Sequence, residues 1–155
     1  MSFLYDLFHN YLFMAAVLGW LTAQVIKTVI DLLITKEINW ERMVGSGGMP
    51  SSHSSTVCSL MTAAALKCGP ASNEFAFCAI LAIIVMYDAR GVRRETGNQA
   101  VVLNQIMDYF TSEHPEKIEF TEDNLKELIG HTPFQVLVGA ILGVVMGIIT
   151  FPVFN

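Results

Sequence analysis

Long apolar runs alternate with short polar breaks along this chain, and the runs have helical rather than strand-like lengths. The first extends from Tyr11 to about Ile34. The second, rich in Ala, Ser and Leu, covers 51–68 and is ended by Gly69-Pro70. A third begins at Asn73, passes Tyr87 and runs into a charged stretch near residue 92. The last covers Val136 to Phe154 and is opened by Gly130-His131-Thr132-Pro133. Between the third and fourth runs lies the most polar part of the chain, residues 98–129. There NQAVVLNQIMDYF is amphipathic and EHPEKIEFTEDNLKELI is acidic, which predicts short surface helices, the second capped by Thr121.

Composition turns this pattern into a membrane reading. Apolar residues make up 53% of the chain and charged ones 15%, where a soluble domain carries about a quarter. Mean hydropathy is +0.50, and several runs approach the roughly 20 residues that cross a bilayer. The expected fold is all-α: a compact transmembrane helical bundle spanning residues 1–155 as one unit. It has about four membrane helices, near 11–34, 51–68, 73–92 and 133–152, plus short interfacial helices in the 98–129 excursion. The start of the chain lacks a basic region and a small-residue cleavage site, so the first run is expected to be a retained span. Phe3, Tyr5 and Phe8 before it are aromatic anchors for the interface. A net charge of −5 argues against nucleic acid as a partner. Cys58, Cys68 and Cys78 have neither zinc-ligand nor disulfide spacing and are expected to be small buried apolar residues.

The chemistry concentrates in the polar breaks. Gly47 to Thr56, GGMPSSHSST, is a polar island in which a glycine-rich loop enters a helix. Unpaired N–H groups at Gly48, Ser51 and Ser52 would form an anion cradle, with His53 placed for proton transfer or nucleophilic attack. A loop with an ordinary serine N-cap explains the same residues without chemistry. Lys27, on one helical stripe with Gln24 and Asp31, is a cation inside a span and so a functional candidate; a pairing with Asp31 is the plainer account. Arg90, Arg93 and Arg94 are spaced to share one helix face and suit an oxyanion, most naturally phosphate. A solvated basic patch at the membrane edge is the alternative. His131 echoes His53, since each stands at the mouth of a helix beside proline and hydroxyl residues. Gly139, Gly143 and Gly147 recur every fourth residue and make a face for close helix contact, including contact with a second copy of the chain. Four spans would put both histidine loops on one membrane face. Lys36, Arg42, Arg93, Arg94, Lys117 and Lys126 lie on that face and make it cytoplasmic.

Three stretches, GGMPSSHSS, YDARGVRRETGNQAVVLN and ELIGHTPFQVLVGAILG, together resemble the divergent type-2 phosphatidic acid phosphatase family of small membrane proteins. The resemblance covers about Gln24 to Gly147. More distantly, the chain resembles the wider superfamily that includes vanadium haloperoxidases, whose members hydrolyse phosphate esters, often of lipids, without a metal. That resemblance implies no cofactor, and a lipid phosphate, pyrophosphate or phosphate as ligand. It makes His53, in Pro50-Ser51-Ser52-His53, the general acid and His131 the nucleophile, with anion-binding cations drawn from Lys27, Arg42, Arg90, Arg93 and Arg94. The chain departs from the wider pattern in three places. Arg94 is far from His131 in sequence, the first motif around Lys36 and Arg42 is unrecognisable, and the expected aspartate four residues after the nucleophile is Gln135. Gln135 as the histidine's orienting partner would supply no charge, leaving Asp88 or Glu95 as candidate substitutes. Thr132-Pro-Phe-Gln135 also fits a helix capping box. The implied activity is therefore hydrolysis through a phosphohistidine. A phosphate- or anionic-lipid-binding protein without turnover, and a structural membrane subunit, are the alternatives.

Overall fold

A computed structural model of the chain describes residues 3–36, 48–113 and 131–154, and of residues 92–94, 96, 108 and 110–113 only the backbone. All regular structure among the described residues is α-helical: α1 (Phe3–Phe8), α2 (Tyr11–Thr35), α3 (Ser52–Cys68), α4 (Asn73–Arg90), α5 (Val92–Glu113) and α6 (Pro133–Phe154). The boundaries follow local chemistry. Asn10, Ser51 and Ser72 cap α2, α3 and α4 by accepting the backbone N–H three residues on, and their backbones are extended as the cap requires. Gly69 ends α3 with φ +87°, a conformation that other residues adopt at a cost. At the start of α6, the Gln135 N–H donates to Thr132 Oγ1 (3.3 Å) and the Thr132 N–H donates to Gln135 Oε1 (3.0 Å). The capping box anticipated from the sequence is thus formed.

α3 is the central helix. α2, α4 and α6 pack around it, α2 and α6 also pack on each other, and α5 meets only α4 among the described elements. The packed faces are small and polar, and the outer faces are large and apolar. The buried positions of α3 include Ser52, Ser54, Ser55, Ser59, Ala63 and Ala64, and those of α6 include Gly139, Gly143 and Gly147. Trp20, Leu33, Phe77, Ile83, Tyr87, Ile141 and Val153 all point outward. A water-soluble bundle has the reverse arrangement, and a bundle surrounded by lipid has this one.

Three buried hydroxyls donate to backbone carbonyls of a neighbouring helix. Ser55 Oγ donates to the Gly19 carbonyl (2.8 Å), Ser59 Oγ to Gly143 (3.0 Å) and the buried Tyr11 hydroxyl to Gly147 (2.6 Å). Such bonds need backbones close together, and the glycines permit it. A Cβ on Gly143 would lie 2.8 Å from Cys58 Cβ, and one on Gly147 2.7 Å from Thr62 Cβ. The glycine face expected to receive a second copy is therefore occupied by α3 of the same chain. Close approach to a serine-rich helix is what those glycines serve.

Three further expectations are revised. Residues 92–113 form one continuous 22-residue helix rather than a short surface helix beginning at 98, because nothing between Asn98 and Glu113 breaks the helical pattern; the rest of the 98–129 excursion, with its second helix, lies outside the described residues. Gly91 (φ −93°, ψ −80°) interrupts the chain between α4 and α5, so Arg90 does not share a continuous helix face with Arg93 and Arg94. Of the three cysteines only Cys58 is buried; Cys78 is half-buried and Cys68 exposed.

Among the described residues two helices, α2 and α6, are long and apolar enough to cross a membrane. α3 has 17 residues, so its length of about 26 Å falls short of a hydrocarbon core of about 30 Å. α4 carries Glu74, Asp88 and Arg90 within its 18 residues.

Candidate active site

The four packed helices bring one end each to a common place. α2 and α4 contribute their C-terminal parts, α3 and α6 their N-termini. Three contacts tie the ends together. The Ser51 N–H donates to the Gln135 carbonyl (3.2 Å), joining the mouths of α3 and α6. The His131 N–H donates to the Ala89 carbonyl (3.2 Å), fastening the segment before α6 to the last turn of α4. Gly48 rests on Lys27 of α2, where a Cβ would lie 3.1 Å from Lys27 Cγ. With φ at +78° and that stem beneath it, position 48 favours glycine twice over.

Two imidazoles meet at this end. The rings of His53 and His131 stand edge to face with centroids 6.1 Å apart. His53 is on the first turn of α3 and half-buried; His131 is 2% exposed. Nδ1 of His131 lies 3.3 Å from Gln135 Oε1, the same oxygen that accepts the Thr132 N–H. Gln135 was anticipated either as the histidine's partner or as a capping residue, and a single oxygen makes both contacts. Ser51 is fully buried; its Oγ accepts the Ser54 N–H (3.3 Å) and Ser54 Oγ (3.1 Å). Lys27 is 2% exposed, one turn beyond the buried Gln24 on the same side of α2. The Gln24 side-chain oxygen is buried and accepts no hydrogen bond from the described residues.

Most residues anticipated from the sequence therefore converge: Lys27, Gly48, Ser51, Ser52, His53, His131 and Gln135. Arg90 closes α4 beside Ala89 at the rim of this cluster, with its side chain exposed. The side chains of Arg93 and Arg94 are not among those described, and Arg42 lies outside the described residues. Of the two acids considered as replacements for the missing aspartate, Glu95 is exposed and accepts from Asn98 Nδ2 at 3.5 Å on its own helix. Asp88 is half-buried in the last turn of α4. What the sequence hid is the part played by Ala89: a backbone carbonyl that anchors the nucleophile candidate has no residue-type signature. No group of three or more potential metal-ligating side chains occurs among the described residues.

Chemically, the cluster offers two imidazoles within reach of one small ligand, one buried lysine and the amide-rich mouths of two helices. Such an arrangement fits an anion, with proton transfer or nucleophilic attack by imidazole.

The comparison with known proteins agrees with the resemblance noted in the sequence. The chain is 36% identical over 151 residues to YuiD, an uncharacterized membrane protein of Bacillus subtilis (strain 168), an alignment covering 93% of this chain and 96% of YuiD. No solved structure matches it. Its residues 8–146 match the Divergent PAP2 family. With most of its length matched, and with the histidine mouths of α3 and α6 inside the matched region, the chain belongs to the Divergent PAP2 family and is a membrane protein.

Proposed function

We propose that the protein is an integral membrane phosphatase that hydrolyses a lipid phosphate or pyrophosphate through a phosphohistidine. One observation carries this reading. His53 and His131, 78 positions apart in the chain, meet at 6.1 Å at the mouths of two helices in a chain of this family. A nucleophile approaches its target at about 3–3.5 Å, and a general acid hydrogen-bonds at about 2.6–3.2 Å. One phosphoryl group can reach both rings at this separation.

In the first step a ring nitrogen of His131 attacks phosphorus and the bond to the leaving oxygen breaks. His53 gives its proton to that oxygen. In the second step His53 takes a proton from water, the resulting hydroxide attacks the phosphohistidine, and inorganic phosphate leaves with His131 restored. The charge on the equatorial oxygens is met by the backbone amides of the Gly48–Ser52 turn, by Lys27, and by arginines among Arg42, Arg90, Arg93 and Arg94. The lipid character of the substrate follows from the membrane setting.

Topology follows the same reading. α3 and α4 cross the membrane with α2 and α6, and their shortfall in length or apolarity is accommodated by local thinning and by the polar site at one end. The site end is cytoplasmic by the charge rule, since Lys36 and the arginines flank it.

The test is phosphate release by the purified protein across a panel of lipid phosphates and pyrophosphates, with His53→Ala and His131→Ala beside the wild type. The reading expects turnover that both substitutions abolish without loss of folding. A second reading, a phosphate-binding protein without turnover, draws on the neutral Gln135 at the place of the family aspartate. Absence of turnover on every substrate, with orthovanadate still protecting the wild type against heat, would favour it.

A further inference from the structure

The Thr132-Gln135 capping box and His131 share one atom, and that sharing fixes which nitrogen of the histidine is available. The Thr132 backbone amide can only donate, so the Gln135 atom 3.0 Å from it must be the carbonyl oxygen and not the amide nitrogen. The same oxygen lies 3.3 Å from His131 Nδ1. Two lone pairs would repel across that distance, so Nδ1 carries a proton and donates it. In the neutral ring, the lone pair is then on Nε2. The remaining freedom of the ring is limited on its other side. The His131 main chain is held to Ala89 (3.2 Å), and the side chain is buried.

We infer that Thr132 and Gln135 are positioning residues, which through one shared oxygen lock His131 in the Nδ1–H tautomer and make Nε2 its reactive nitrogen. A histidine side chain in water prefers the opposite tautomer, with its proton on Nε2, so the lock reverses an intrinsic preference. The residue that replaces the family aspartate thus retains the aspartate's orienting task and gives up its charge. The length of the side chain matters as much as its polarity. Glutamate is the isostere that preserves both contacts, whereas aspartate is one methylene shorter.

The role in catalysis rests on the phosphohistidine reading, but the tautomer can be read without turnover. The experiment is ¹⁵N NMR of the full-length protein with labelled histidine in detergent micelles, with His131 assigned from its loss in His131→Gln. In wild type the resonances should show a protonated Nδ1 and an unprotonated Nε2. Gln135→Ala should move the tautomer ratio about tenfold toward Nε2–H, the size expected for loss of one neutral hydrogen bond, and lower kcat with KM unchanged. Gln135→Glu should restore both the Nδ1–H signature and kcat. A wild-type His131 protonated on Nε2 overturns the inference even if the alanine variant fails to fold. So does a tautomer ratio unmoved by Gln135→Ala in a folded protein. A locked tautomer in a protein that turns over no substrate would sustain the lock and defeat the phosphatase.

Discussion

Gly139→Ala is the substitution for which helix propensity and packing give opposite signs. In an isolated helix, alanine in place of glycine would stabilise by about 1 kcal/mol. Here the added Cβ would lie 3.0 Å from Ser51 Cβ and 3.1 Å from its carbonyl carbon, and closer still to its carbonyl oxygen. Carbon contacts settle at about 3.5–4 Å, so α6 must retreat from α3 by about 1 Å. Because the obstacle is backbone, no rotamer change can relieve it. Overpacking of this kind costs about 1–3 kcal/mol and should outweigh the propensity gain. The same movement stretches the Ser51 N–H bond to the Gln135 carbonyl, now 3.2 Å, and draws His131 away from His53. Misplacement by about 1 Å can cost a hundredfold in rate. Gly147→Ala is the control. Its nearest obstacle is the Thr62 side chain at 2.7 Å, toward the opposite end of the bundle. Thermal unfolding in detergent and kcat at a temperature where both variants are folded would be measured together. Both should unfold earlier, and only Gly139→Ala should lose about two orders of magnitude in kcat. A Gly139→Ala protein as stable and as active as wild type would refute the packing argument.

Two other outcomes follow from the same framework. Tyr11→Phe removes a hydroxyl that donates to the Gly147 carbonyl at 2.6 Å, but Thr150 Oγ1 still reaches that carbonyl at 3.3 Å. The loss should be at the low end for a hydrogen bond, about 0.5–1 kcal/mol by thermal or denaturant unfolding; a loss of 3 kcal/mol or more would mean the contact is misjudged. Cys68, exposed at the end of α3 away from the histidines, should react with a membrane-impermeant maleimide added to intact cells, and Cys68→Ser should abolish that labelling. Labelling only after the cells are opened would put the histidine end outside and reverse the topology.

The helices around the site were legible because their ends are written in residue types. Asn10, Ser51, Ser72 and Thr132 are caps, and Gly69 is a terminator; each acts where its side chain, or lack of one, dictates. The pairing of His53 with His131 was also legible, from the like surroundings of the two residues. Three features were hidden for physical reasons. Gly91 breaks the helix inside an arginine cluster whose spacing suits an unbroken one, and a glycine within a helical pattern does not announce whether it will continue or stop. The glycine repeat of α6 states that something packs closely, but not whether the partner is another copy or α3 of the same chain. Gln135 offered two explanations that look exclusive in sequence, because sequence assigns roles to residues, whereas the structure assigns them to atoms.

The central claim is that His131 carries the phosphoryl group. The direct measurement is rapid quenching of the protein with a ³²P-labelled lipid phosphate, followed by base-stable, acid-labile label mapping. The account predicts label on His131 in wild type and none in His131→Gln. Label on any other residue, or turnover that proceeds undiminished in His131→Gln, would contradict it.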